Sequence, residues 1–169
     1  GFAVVRRQVA CAQDRDGLPG YMAEVVHGMS IDLEICDGIA VNVPDSLDLI
    51  TPYVLREQLD WFENEIKFVR TILKAGDRVL DIGANYGIYA LSMAKIVGPQ
   101  GHVWAIEPAS STAAYLARSI DRNGFGQITL IKAALSNHRG TAQLGIRQNS
   151  ELNSLTVDTD QQQETEVVE

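Results

Sequence analysis

Residues 78–87 read Arg78-Val79-Leu80-Asp81-Ile82-Gly83-Ala84-Asn85-Tyr86-Gly87, and this stretch decides the fold. Arg78 to Ile82 is a short β-strand run that opens into a glycine-bearing loop. The loop leads into an apolar stretch of helical periodicity, Tyr86 to Val97, which Gly98-Pro99 stops. Strand, loop and helix in this order make the junction at which parallel α/β sheets place their ligands. Gly83 supplies backbone angles closed to other residues and admits a ligand close to the chain. Gly87 is expected to let the helix start pack against the first strand, and Asp81 to turn a carboxylate toward the same crevice.

Downstream the alternation continues. His102 to Ile106 is a second strand, Ser111 to Asn123 a helix with Ala113, Leu116, Ala117 and Ile120 on one face, and Ile128 to Ala133 a third strand. The pattern βαβαβ predicts a Rossmann-like parallel sheet with right-handed crossovers. A doubly wound sheet usually has more strands than these three, so the sheet is expected to be incomplete and the chain to be a piece of a longer domain. Beyond Ala134 the sequence turns polar. Thr141 to Ile146 reads as a strand, Asp158 to Glu166 as a mobile acidic loop, and Val167-Val168 as the start of another strand.

Upstream, Leu55, Leu59, Phe62, Ile66, Val69 and Leu73 fall on one helical face, opening at Thr51-Pro52 and closing at Gly76. Trp61 and Phe62 read as packing residues of this helix. Tyr21 to Leu33 and Ile39 to Val43, punctuated by glycines, read as antiparallel ribbon that needs a larger body to rest on. The expected organisation is a β-rich cap over 1–50, an amphipathic helix over 51–75, a cofactor-binding half-domain over 76–155, and an acidic loop with the start of a strand over 156–169.

The loop is not a phosphate cradle. Gly83 is followed by Asn85 and then Gly87, which breaks the dinucleotide fingerprint, and no Gly-Lys-Ser or Gly-Lys-Thr is present. Asp81 repels a pyrophosphate and suits an ammonium group, so a cofactor with an amino-acid end and a positive centre fits better. Glu107 follows the second strand 24 residues after Gly83. That is where an acidic side chain accepts hydrogen bonds from ribose hydroxyls in nucleotide-binding α/β folds, and Pro108 turns the chain away behind it.

Asp81 to Gly87, Tyr89-Ala90-Leu91 and Ala105-Ile106-Glu107-Pro108 resemble the S-adenosylmethionine-binding half of FkbM-type methyltransferases. The resemblance runs back through Trp61–Ile66 and Leu73–Asp77 and forward through Asn123 and Ala133–Ser136 to about Leu155, roughly two thirds of the chain. Asn85 stands where the wider superfamily often has glycine, which is itself FkbM-like. The resemblance implies S-adenosyl-L-methionine as cofactor, with Asp81, Gly83, Ala84, Asn85, Tyr86 and Gly87 under its methionine part. It places Glu107 and Pro108 at the ribose, and Ala134 and Leu135 near the adenine. It further implies methyl transfer to a hydroxyl oxygen of a small-molecule, saccharide or lipid-linked acceptor. The family's later Lys-Ile-Asp-Val-Glu-Gly-like run has no counterpart here, and no general base is identified. A nicotinamide- or flavin-dependent oxidoreductase and a non-catalytic methyltransferase-like scaffold are the alternatives.

Composition narrows the partners. The 169 residues carry a net charge of −8, with six acidic and no basic side chains over 151–169, which excludes a tracker of nucleic-acid backbones. Hydrophobic residues are 46% and charged residues 21%, ordinary for a folded domain. Neither a secretory leader nor a membrane-spanning apolar run is evident, so a cytoplasmic location is expected. Cys11 and Cys36 have no metal-ligand spacing, and His27, His102 and His138 form no metal cluster. His102 is expected to be structural, and Ser150–Leu155 to be a bland polar loop, with an approach to the rim of the site as the less favoured reading. Apolar surface left by an incomplete sheet is expected to favour self-association.

Overall fold

The computed structural model describes residues 29–137, 139–155 and 165–169, and the backbone of 2–6 and 164. Along the chain run β1 (Phe2–Arg6), β2 (Ser30–Ile35), β3 (Ile39–Pro44), α1 (Ile50–Gln58), α2 (Asn64–Ile72), β4 (Arg78–Ile82), α3 (Ile88–Val97), β5 (His102–Ile106), α4 (Ser110–Asn123), β6 (Ile128–Ile131), β7 (Ala142–Ile146) and β8 (Glu164–Val168). His27, His138, Tyr21–Gly28 and residues 156–163 lie outside the described residues.

Strands β1, β4, β5 and β6 form one sheet in that order, and every neighbouring pair is parallel. The Rossmann-like α/β fold expected from the sequence is present. Asp81 pairs with Ala105 on one side and with Val5 on the other. Strand β1 was not anticipated. Five residues at the chain start show no alternation strong enough to identify them, and their partner lies more than 70 residues away.

Period-2 alternation sends Val79, Asp81, Val103 and Ala105 to one face of the sheet, where all four are buried. Helix α3 packs on this face, with α2 against its other side. Sandwiched in this way, α3 is buried from Ile88 through Ala94, as expected of a helix apolar all round. The β2–β3 hairpin rests on α4. Ala40 donates its N–H to Asn123 Oδ1 (2.9 Å) and Asn42 to Ser119 Oγ (2.8 Å), while Asn123 Nδ2 returns a bond to the Ala40 carbonyl (2.6 Å). These side chains satisfy the backbone edge of β3 that would otherwise be left without partners.

The single helix expected over 51–75 is instead two. Leu59 adopts a left-handed conformation (φ 55°) and ends α1, and α2 begins at Asn64. Tertiary contacts outweigh the helical periodicity here. The Leu59 carbonyl accepts the Cys36 N–H (3.1 Å), and Asp60 takes a two-pronged ion pair from Arg70 (2.6 and 2.8 Å). Arg70 also reaches Ser92 on α3 at 3.1 Å. The break turns Trp61 into the core and leaves Leu59 (65%) and Phe62 (51%) exposed, so neither belongs to the buried stripe assigned to it. The helix also closes at Leu73 rather than Gly76.

A second correction concerns 158–166. Strand β8 starts at Glu164, and Glu166 pairs with Leu144 of β7. Glu166 also accepts the Ser110 N–H (3.1 Å) and its hydroxyl proton at the start of α4. A carboxylate at a helix N-terminus meets unpaired N–H groups and the positive end of the dipole, and α4 has no acidic residue of its own in that turn.

Candidate cofactor site at the β4–α3 junction

Gly83 and Ala84 both donate their N–H to the Ile106 carbonyl at 2.9 Å, which folds the loop across the end of β5. Gly83 has φ 76°, and a Cβ built there would meet nothing within 4 Å, so its surroundings are open to a ligand. Asn85 follows at φ 52°, a left-handed setting that asparagine tolerates better than most residues. Gly87 has φ 91° and closes the turn by donating to the Ala84 carbonyl (2.8 Å).

Gly87 corrects one expectation. Its role is close packing against α4, not against the first strand, because an added Cβ would lie 2.2 Å from Leu116 Cδ1. Leu116 is itself fully buried. Tyr86, assigned to the helix, lies before its first turn. The left-handed Gly87 separates it from α3, so its ring meets Tyr115 edge-on at 5.7 Å between centroids.

Glu107 joins the loop directly. Its Oε2 accepts the Asn85 N–H (2.8 Å) and its Oε1 the Ala109 N–H (2.9 Å). Both Asp81 (4% exposed) and Glu107 (6%) are buried carboxylates at the same end of the sheet. A carboxylate oxygen accepts two hydrogen bonds, so each oxygen of Glu107 can hold a backbone N–H and still receive a ribose hydroxyl. The open space over Gly83 and the paired carboxylates fit an adenosyl cofactor with an ammonium-bearing end.

Pro108 is half-buried beside Glu107. Ala134 packs against a second cluster formed by Ala109, Leu144 and Val168 and donates to the Glu169 carbonyl (2.6 Å). Leu135 is 52% exposed. An open cavity of about 510 Å³ lies between Ala134–Ser136, Arg139–Thr141 and Glu169. Gly83–Gly87 and Glu107 are thus drawn together by hydrogen bonds, with Asp81 placed beside them by the pairing of β4 with β5, whereas Ala134 and Leu135 stand apart, Ala134 packing against Ala109.

Tyr86 is buried, and burial pushes its phenol up to about 12. A hydrogen bond with Ser150 opposes the rise, and the charge of Glu151 adds to it. Ser150 donates its hydroxyl to Asn85 Oδ1 (2.8 Å), Asn149 Oδ1 accepts the Ile50 N–H (3.0 Å), and Glu151 accepts the Thr51 hydroxyl. The sequence favoured a bland polar loop for Ser150–Leu155 over an approach to the rim, and nothing in it singled out Ser150, Glu151 or Thr51 as neighbours of the loop. At the opposite end of the sheet, His102 hydrogen-bonds with Thr129 (2.9 Å) and meets the Trp104 ring at a tilt, 4.4 Å between centroids. Among the described residues, no three His, Cys, Asp or Glu side chains cluster as metal ligands, and no helix is long and apolar enough to cross a membrane.

A parallel sheet with a glycine turn after one strand and a buried acid after the next is the arrangement of the Rossmann-like fold that S-adenosyl-L-methionine-dependent methyltransferases share. The sequence profile of the family described as protein-L-isoaspartate(D-aspartate) O-methyltransferase matches residues 52–159. The chain belongs to that family. It is 36% identical over 59 residues to the protein-L-isoaspartate O-methyltransferase of Ignicoccus hospitalis and 32% identical over 59 residues to that of Methanothrix thermoacetophila. Each alignment covers 35% of this chain and 28% of the relative, so the chain spans less than a third of the curated relatives it matches. Among solved structures, a methyltransferase from Aquifex aeolicus is similar at 26% identity, with a TM-score of 0.40 over 50% of this chain and 47% of that one.

The FkbM resemblance is therefore corrected. It rested first on Asp81–Gly87, Tyr89–Leu91 and Ala105–Pro108, a stretch tied to a cofactor that different methyltransferases share. Asn85, read as an FkbM mark, is explained by its left-handed backbone, which asparagine can supply in place of glycine. The dinucleotide-dependent oxidoreductase alternative falls with the same finding.

Proposed function

We propose that this chain forms the donor-binding part of an S-adenosyl-L-methionine-dependent O-methyltransferase whose acceptor is a carboxylate oxygen of an isoaspartate-type residue. The observation that carries the reading is Glu107, which is buried and hydrogen-bonded to Asn85 in the loop. In it, Asp81, Gly83, Ala84, Asn85, Tyr86 and Gly87 border the methionine part and Glu107 with Pro108 the ribose. Ala134 and Leu135 stand on the adenine side. When bound, the cofactor supplies a methyl group on a sulfonium sulfur, which passes to a nucleophilic oxygen in one displacement that returns the electron pair to sulfur.

Family membership supports the carboxylate acceptor in place of the hydroxyl first expected. The change also removes the need for a base. A carboxylic acid is already ionised at neutral pH, so the chain's contribution is alignment and exclusion of water. Residues 76–155 then act as the cofactor-binding unit, with the hairpin and the α1–α2 pair outside it. The exposed Leu59, Phe62, Phe68 and Ile72 support self-association through α1 and α2.

The test uses methyl-labelled S-adenosyl-L-methionine with an isoaspartyl peptide and, in parallel, its aspartyl counterpart. Base-labile label on the isoaspartyl peptide alone is expected, because methyl esters hydrolyse in alkali. Label that resists alkali would move the acceptor back to a hydroxyl.

A further inference from the structure

The turn at Ser150–Leu152 is 65 residues from the glycine loop, yet it is hydrogen-bonded to it. It is also a braced piece of structure. Leu152 donates to the Asn149 carbonyl (2.9 Å) and Asn153 to that of Ser150 (3.2 Å). Arg147 donates to Asn153 Oδ1 (2.8 Å), and Ser154 pairs with Gly145 of β7 in both directions (2.8 and 3.2 Å). At its other side the turn is tied to the start of α1 by Asn149–Ile50 and Glu151–Thr51. Between Thr51 and loop residues 84–89 the enclosed space is about 10 Å³, room for about one water. The start of α1 thus closes against the loop on this side, and the turn is tied both to it and to Asn85.

Asn85 is the residue on which this braced turn acts. Its side-chain oxygen accepts from Ser150 while its backbone N–H is held by Glu107. Its left-handed φ of 52° is unfavourable for a residue with a side chain. A hydrogen bond at each end keeps it there.

We propose that Ser150 is a positioning residue for the cofactor's methionine end, acting through Asn85 and Tyr86, so that the donor pocket is completed by the turn after β7. The inference rests on the cofactor reading above. It predicts a split between two ligands. S-Adenosylhomocysteine reaches the methionine end, whereas adenosine ends at the ribose and meets only Glu107 and its surroundings.

Calorimetric titration of the full chain and its Ser150→Ala variant with both ligands separates the outcomes. Ser150→Ala is expected to weaken S-adenosylhomocysteine about five-fold, the effect of one lost hydrogen bond, and to leave adenosine within two-fold. Ser150→Thr, which keeps the hydroxyl, is expected to restore most of the affinity. Equal weakening of both ligands would mean that the turn only supports the fold, and no change in either would mean that Ser150 sets nothing; both results overturn the proposal. Failure of the unaltered chain to bind S-adenosylhomocysteine would overturn the cofactor reading, and this inference with it.

Discussion

The glycine loop and the α1–α2 region stand side by side against α3, yet they take their shape from different sources. The loop is shaped by its own backbone, through positive φ at Gly83, Asn85 and Gly87 and hydrogen bonds to the next strand. The helical region is shaped by contacts across a break in it. Its periodicity continues through Leu59 and Phe62, but Cys36 and Arg70 impose a break there. Local rules hold where a segment needs special angles, and yield where tertiary contacts offer a partly buried ion pair and a place for Trp61.

Gly87 offers the hardest test of that contrast. Gly87→Ala places a Cβ on Leu116 and strains a left-handed backbone, and should cost about 3 kcal/mol or more. Gly83→Ala has similar backbone strain but open space, so it should cost about 1–2 kcal/mol. Urea denaturation of both variants measures the difference. Equal losses would show that Leu116 yields freely and that the glycine at 87 is needed only for its angles. Combining Gly87→Ala with Leu116→Ala should cost less than the two single losses added together, because the clash is gone in the double variant.

Glu107→Gln comes next in expected effect on the site. It keeps an acceptor for a backbone N–H but loses charge, and should weaken S-adenosylhomocysteine about ten-fold, since hydrogen bonds to charged groups are worth about 1.5–3 kcal/mol. Unchanged affinity in calorimetry would remove Glu107 from the ribose.

Both elements of this site that the sequence located, the loop and the acid after β5, carry their signal within a few residues. Gly83 and Gly87 are spaced for a turn, and Glu107 follows a strand at the distance one βα unit sets. The rim was not legible because Ser150, Glu151 and Thr51 are ordinary polar residues, joined only when β7 and α1 converge. Strand β1 and the partner of Ser110, Glu166, were hidden for the same reason. The family was misread because the legible residues are those nearest the shared cofactor, whereas acceptor choice is written elsewhere.

The ion pair at the helix break gives a pH test. Burial alone would raise the Asp60 carboxyl, but the hydrogen bonds and charge of Arg70 outweigh it, leaving its value below the ordinary 3.8. The folded state thus binds the proton less tightly than the unfolded state does, so this contribution is present above pH 3.8 and is lost as pH falls below it. Arg70→Met should remove that acid-side slope in denaturation and destabilise the α1–α2 junction. A slope unaltered in Arg70→Met would mean that other carboxylates carry it.

At the alkaline end the sign reverses for Tyr86. Its phenol holds its proton up to about 12 in the fold, against 10.0 ordinarily. Stability attributable to it is complete below pH 10 and falls between 10 and 12. Tyr86→Phe should flatten that alkaline fall, and an unchanged profile in the variant would show that Tyr86 ionises as readily folded as unfolded.

The central claim, that the β4–α3 loop and Glu107 make an adenosyl-cofactor site, is tested most directly by titrating S-adenosylhomocysteine into the chain by calorimetry, with NAD as the comparison. The account predicts saturable binding of S-adenosylhomocysteine at one site and no heat from NAD. Binding of NAD in preference, or no binding of either ligand by a sample shown to be folded, would contradict it.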